Sequence, residues 1–363
     1  MNISHTPRTV NVESRKNSSG AFIKFIAYLQ IIGIVFVVLG HSFHEYPEGE
    51  MGHTMLLYRM MYSFRMPLFM FVSGFLMVFT TQFREVAPSW RRFAATKLRR
   101  LIVPFMVLSL VTFVPRVMMS RMADEPVEMG FSSFFISLFD GGQLVIPYFW
   151  FIQASFILLL VNYAILVMSR KARIDDRFSY LSLIVLFALL PLTSLMEVRW
   201  FSVFKAVEFG VFFITGAFYS RYASAIDRYV PWTAWWFVVM AVVVWTVSFF
   251  LTEGTGLRPL CSFAGIAMCI SVAKLLEKYR VGILDHLIGA NYIIFLLSWY
   301  FNVLAQQVLH HYVSLPWWIY TLLSVIAGIY VPWLFYRYML DHPDGRVGWF
   351  GRHFLGQSLR RRV

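Results

Sequence analysis

Stretches that are apolar on every side leave this chain few ways to fold. Residues 31–39, 237–251 and 319–331 carry no charge and no polar face, and they belong to segments near the ~20 residues a helix needs to cross a bilayer. In hydrocarbon every backbone amide must find an internal partner, so such runs are helices unless they alternate with the two-residue period of a barrel strand. They do not alternate. A chain of 363 residues that is 59% hydrophobic and 14% charged also lies outside the composition of a soluble globular domain. The expected class is an all-α integral membrane protein.

Apolar runs bounded by Pro, Gly and charge predict ten spans, at 22–43, 55–80, 98–119, 144–169, 178–196, 201–220, 231–251, 259–275, 286–309 and 315–336. The net charge of +13 sits in short blocks between spans rather than in an amphipathic stripe, which argues for membrane topology and against nucleic acid. Six alternate connections hold 24 Lys and Arg residues, while the other five hold three, namely Arg121, Arg199 and Arg258. Basic residues favour the cytoplasmic side, so both termini are expected there. No internal repeat or soluble domain is visible. The chain divides into a cytoplasmic segment (1–21), one membrane domain (22–338) and a basic cytoplasmic tail (339–363). The first apolar run lacks a small-residue cleavage site and is expected to stay as the first helix. Cys261 and Cys269, eight residues apart in one span, read as core thiols. The external connection 125–142 is the longest and is expected to cover the outer mouth of a cavity.

An ionisable side chain inside an apolar span is costly unless paired, so each one is a candidate. His41 closes the first helix in VVLGHSF, with Gly40 leaving room beside its ring. Glu45 follows at i+4, where a carboxylate can fix an imidazole tautomer and raise its basicity. An interfacial histidine touching headgroups would give the same pattern. Arg65 lies deep in the second span and should face the bundle interior, pairing with a carboxylate or binding an anion. Pro67 frees a carbonyl and kinks that helix; Gly74 permits close packing. Glu208, three residues after Lys205, reads as a local ion pair. Arg91, Arg92, Lys97, Arg99 and Arg100 form a basic cluster able to hold the phosphates of a nucleotide-like donor, or they simply obey the positive-inside rule. No paired metal-ligand motif, Walker loop, dinucleotide fingerprint or serine elbow occurs.

The strings LQIIGIVFVVLGHS, MYSFRMPLFMFVSGFLM, KLRRLIVPF and YFWFIQASF, in this order over residues 22–160, resemble the acyltransferase-3 family of bacterial membrane O-acyltransferases, especially the branch that acetylates surface polysaccharides. The likeness continues more weakly through FFITGAF and NYIIFLLSWY. It implies a ten-helix bundle in the bacterial inner membrane. The implied reaction carries an acyl group, usually acetyl from acetyl-CoA as co-substrate with no bound cofactor, to a hydroxyl of an envelope or secreted glycan. The acceptor would be a glycan or lipid-linked sugar, and polysaccharide-synthesis proteins would be partners. The family's histidine at the end of the first helix matches His41. Its basic stretch matches Lys97, Arg99 and Arg100, and the cation it usually carries eleven residues before the histidine is Gln30 here. Arg65 and Ser298 stand where many members have histidine. On this reading His41 is the general base, Arg65 an oxyanion or phosphate partner, and Glu45 the group that orients the base. A transporter or flippase for a lipid-linked glycan is the alternative, and a regulatory or scaffolding membrane protein a third.

Overall fold

The computed structural model describes residues 12–43, 51–82, 89–120, 130–252, 254–312 and 316–357. These are helical, with one isolated antiparallel bridge and no strand among them. The helices are α1 (Val12–Ser42), α2 (Met51–Gln82), α3 (Trp90–Lys97), α4 (Val103–Ser120), α5 (Phe131–Phe139), α6 (Trp150–Lys171), α7 (Asp176–Leu189), α8 (Val203–Tyr229), α9 (Trp235–Thr252), α10 (Arg258–Lys278), α11 (Asn291–Tyr312), α12 (Trp317–Asp341) and α13 (Arg346–His353). Among the described residues nine stretches are long and apolar enough to cross a membrane. The protein is an all-α integral membrane protein.

The expected span not among these nine, 178–196, departs from expectation in form. Its α-helix stops at Leu189 and gives way to 3-10 turns at Leu190–Leu192 and Ser194–Glu197. Pro191 is the reason, because it has no N–H to return to the preceding turn. The segment nevertheless travels from one face of the bundle to the other. Asp140 bridges Trp200, with the Gly141 amide donating to Arg199 O at 2.9 Å, so the turns that precede α6 and α8 lie side by side. At the far end Asp176, which opens α7, holds Arg170 of α6 at 3.7 Å and Arg221 of α8 at 2.8 Å. A 14-residue α-helix is about 21 Å long, and the 3-10 turns extend it. α7 therefore runs antiparallel to its neighbours α6 and α8.

The third span also differs from its predicted start at 98. Helix begins at Trp90, where the Ser89 hydroxyl accepts from the Arg92 amide at 3.4 Å. It passes without a break through a π turn at Leu98–Ile102 into α4. The basic cluster thus stands on a helix rather than in a connection, since long Arg side chains reach the interface from a helical backbone.

α2 and α8 form the centre of the bundle. Any side chain at Gly74 would overlap Phe213 O, and any at Gly216 would overlap Phe71 O, so the two backbones touch as small residues allow in membranes. Around them Phe25, Leu29, Ile34, Phe64, Leu68 and Phe213 are fully buried. Lys205 pairs with Glu208 at 2.7 Å, as its spacing predicts, and Cys261 and Cys269 are free, buried thiols.

Lys24 and Tyr28 of α1 both reach Asp285, at 3.2 and 2.6 Å, and the Trp333 indole donates to His286 O at 2.7 Å. The Tyr28 hydroxyl, helped by Lys24, holds the Asp285 carboxyl below its usual range. The starts of the α1 and α11 spans and the last third of α12 therefore share one face, which we call the basic face. After α13, Leu355 is buried and Gly356, at φ +64°, lies on the Arg100 backbone, where a Cβ would stand 2.9 Å from its Cα.

Candidate active site

The last turn of α1 is built by its neighbours. Helix ends leave carbonyls without partners, and α11 supplies side chains for them. The Asn302 amide donates to Val38 O at 3.2 Å, while Gln306 donates to Ser42 O at 3.2 Å and to His41 O at 3.4 Å. Ser42 Oγ turns back to Val38 O at 2.9 Å. His41 is half-buried, and its ring centroid lies 5.3 Å from that of Tyr148. The Tyr148 hydroxyl donates to Leu296 O at 3.3 Å.

Arg65 comes to the same place from α2. It is only 4% exposed, and any side chain at Gly40 would overlap its Nη1. The room predicted beside the His41 ring is thus filled by the guanidinium, lodged against the backbone one residue before the histidine. Its Cζ lies 5.3 Å from the Tyr58 ring centroid and 4.7 Å from that of Tyr62. Tyrosine faces offset part of the cost of burying this charge. Nε and Nη1 have no hydrogen-bond partner among the described residues. A buried guanidinium with two unspent donors costs several kcal/mol in an apolar setting, and an anionic or carbonyl oxygen offered from the His41 side would satisfy it. Glu45 lies outside the described residues.

The donor-binding residues expected from the sequence gather elsewhere. Gln30 accepts from the Asn291 amide at 3.4 Å, and the neighbouring Tyr292 donates to Arg100 O at 2.6 Å. The start of α11 therefore joins Gln30 to the basic stretch. Arg91, Arg92, Arg99 and Arg100 are exposed on the basic face; Lys97 is half-buried, its Nζ 5.2 Å from the Phe93 ring centroid. Eleven residues of helix, about 16 Å, separate Gln30 from His41. The expected site is two clusters about 16 Å apart along α1.

Between the two clusters runs a polar stripe that sequence reasoning did not single out, apart from Ser298. Asn291, Ser298, Asn302 and Gln306 recur at seven, four and four residues along α11, a spacing that puts them on one helix face. Three of the four bond to α1 side chains or carbonyls. Asn291 Oδ1 and Asn302 Oδ1 are buried without partners among the described residues. The spacing was the available signal.

A family model described as an acyltransferase domain matches residues 23–337 of the chain. No curated protein and no solved structure matches it.

Proposed function

The chain belongs to the acyltransferase-3 family, whose model spans most of it, and from that premise we propose that it moves an acetyl group from acetyl-CoA to a hydroxyl of an envelope or secreted polysaccharide. The observation that carries this reading is the buried guanidinium of Arg65, with two unspent donors, lodged against the turn that presents His41. His41 takes the proton of an acceptor hydroxyl as its oxygen attacks the thioester carbonyl. Negative charge then develops on the carbonyl oxygen, and Arg65 receives it. Collapse of the tetrahedral intermediate expels the CoA thiolate, which recovers the proton from His41.

The donor's phosphates suit the Gln30 part of α1, where adjacent residues of α11 tie Gln30 to the Arg100 backbone and the basic stretch can offer charge-assisted hydrogen bonds. The thioester then reaches toward His41 along the α1–α11 seam. Positive residues favour the cytoplasm, where acetyl-CoA is made, and the His41 end faces the side on which the glycan lies. A multi-pass protein of the bacterial inner membrane fits this arrangement.

The test is transfer of labelled acetyl from acetyl-CoA to glycan by purified protein at matched amounts. His41→Ala should lower turnover by ~10²-fold or more, since general-base catalysis typically supplies 10²–10⁴. Transfer by that variant at the wild-type rate removes His41 from the mechanism. Glycan movement without label would instead favour a flippase.

A further inference from the structure

A cavity of about 460 Å³ opens among the first half of α2, the start of α8, the end of α9 and the start of α10. These ends all lie on the face opposite the basic one, as the His41 end of α1 does. Its walls are aromatic, with Tyr58 and Tyr62 on α2 facing Phe209 and Phe212 on α8. Its charges are placed among them. Glu208, which holds Lys205 through Oε2, lines one side, and Arg59 and Arg258 line the others; Arg258 has no ion-pair partner among the described residues.

The hydroxyls at the cavity are largely spent on backbone. Ser63 donates to Met60 O, Thr252 to Ser248 O and Ser262 to Ser63 O. The polar chemistry offered to a ligand is a carboxylate that accepts, the guanidinium groups of Arg59 and Arg258 that donate, and the Tyr58 and Tyr62 phenols. An acyl chain would strip water from these charges and return nothing. A bare anion would suit the arginines but give the Glu208 carboxylate no donor. A sugar ring meets each requirement, because it offers vicinal hydroxyls to donors and acceptor alike and an apolar C–H face to the aromatic walls. The volume lies within the range of small-molecule sites, large enough for one or two sugar units.

The cavity also has a physical link to the reacting groups. Tyr58 and Tyr62, which wall it, are the two rings that carry Arg65. A ligand held against them lies one aromatic layer from the guanidinium that abuts Gly40.

We propose that this cavity is the acceptor subsite, in which one sugar unit of the glycan packs on the aromatic walls, bonds Glu208 and Arg258, and presents its hydroxyl toward His41 and Arg65. This rests on the acyl-transfer reading above, and it sites acceptor recognition at the α2, α8, α9 and α10 ends.

Two measurements on the purified full-length protein test it. The probe is the mixture of de-O-acetylated oligosaccharides released from the host cell's own surface polysaccharide. In acetyl transfer, Arg258→Gln and Glu208→Gln should each raise the KM for this mixture about ten-fold, as loss of a hydrogen bond to a charged group does. The KM for acetyl-CoA should stay near wild type. His41→Ala shows the reverse split, with kcat lost. In the second measurement, without acetyl-CoA, the mixture should raise the thermal midpoint of the wild type and of His41→Ala but not that of Arg258→Gln. Equal stabilisation of all three proteins, or unchanged acceptor KM in both cavity variants, overturns the subsite. Failure of the wild type to transfer label overturns the acyl-transfer reading instead, and the stabilisation result still decides whether the cavity binds sugar.

Discussion

At the scale of single residues, Gly40 and Arg65 behave as one unit. A methyl at Gly40 overlaps Nη1 of a side chain that is otherwise enclosed, so Gly40→Ala must push the guanidinium off its place. A displacement of about 1 Å can cost on the order of 10²-fold in rate, and we expect a loss of that order with the protein still folded, read as kcat at matched membrane amounts. Arg65→Lys keeps the charge and loses the planar fork of donors. It should retain part of the activity, whereas Arg65→Ala should fall by about 10²–10³-fold, the usual effect of removing an oxyanion donor. If both variants instead vanish from the membrane, Arg65 is a structural charge. His41 and Arg65 were legible in the sequence because an ionisable group in an apolar run is conspicuous by itself. Tyr148, Asn302 and Gln306 were not, since a tyrosine or an amide in such a run has meaning only once its neighbour is known.

At the scale of helices, α11 acts as the mould for α1. Its amides cap the carbonyls around His41 at one end and hold Gln30 at the other. Gln306→Leu preserves size but leaves the His41 and Ser42 carbonyls without that donor, a loss of about 1–3 kcal/mol for a buried group. The thermal midpoint should fall and kcat should fall with it, because the turn that carries the base loses its support. A lower midpoint with unchanged kcat would show that the cap serves stability alone. Boundaries were the least legible feature at this scale. The basic cluster read as a connection because charge normally ends an apolar span, yet the backbone stays helical through it from Trp90. The opposite happened at Pro191, where apolarity continues and the α-helix does not.

At the scale of the molecule, the division of charge and the geometry agree on an even number of crossings. Lys24, Asp285 and Trp333 meet on one face, while Asp140 and Trp200 meet on the other. Topology reporters inserted at Gly345 and at Gly142 should give opposite signals, cytoplasmic for Gly345; the same signal from both would break the model of ten crossings. This level was the most legible of the three, because bilayer thickness and backbone hydrogen bonding dictate it without reference to any partner helix.

The contact of α2 with α8 through Gly74 and Gly216 is backbone on backbone, so the two helices that carry the aromatic walls of the cavity are fixed against each other. α9 is the contrast. Of its residues only Ala241, Phe249 and Thr252 are buried, and it packs chiefly on α10. The cavity is thus a vessel with one stiff side and one side pressed upon by the lipid, and the lateral pressure of the bilayer becomes a setting of its width. Hydrophobic mismatch tilts helices at a cost of fractions of a kcal/mol per Å, enough to move a single peripheral helix and not the glycine-locked pair. In nanodiscs of increasing acyl-chain length the KM for acceptor should therefore drift while that for acetyl-CoA holds steady. A parallel drift of both would place the compliance of the protein elsewhere.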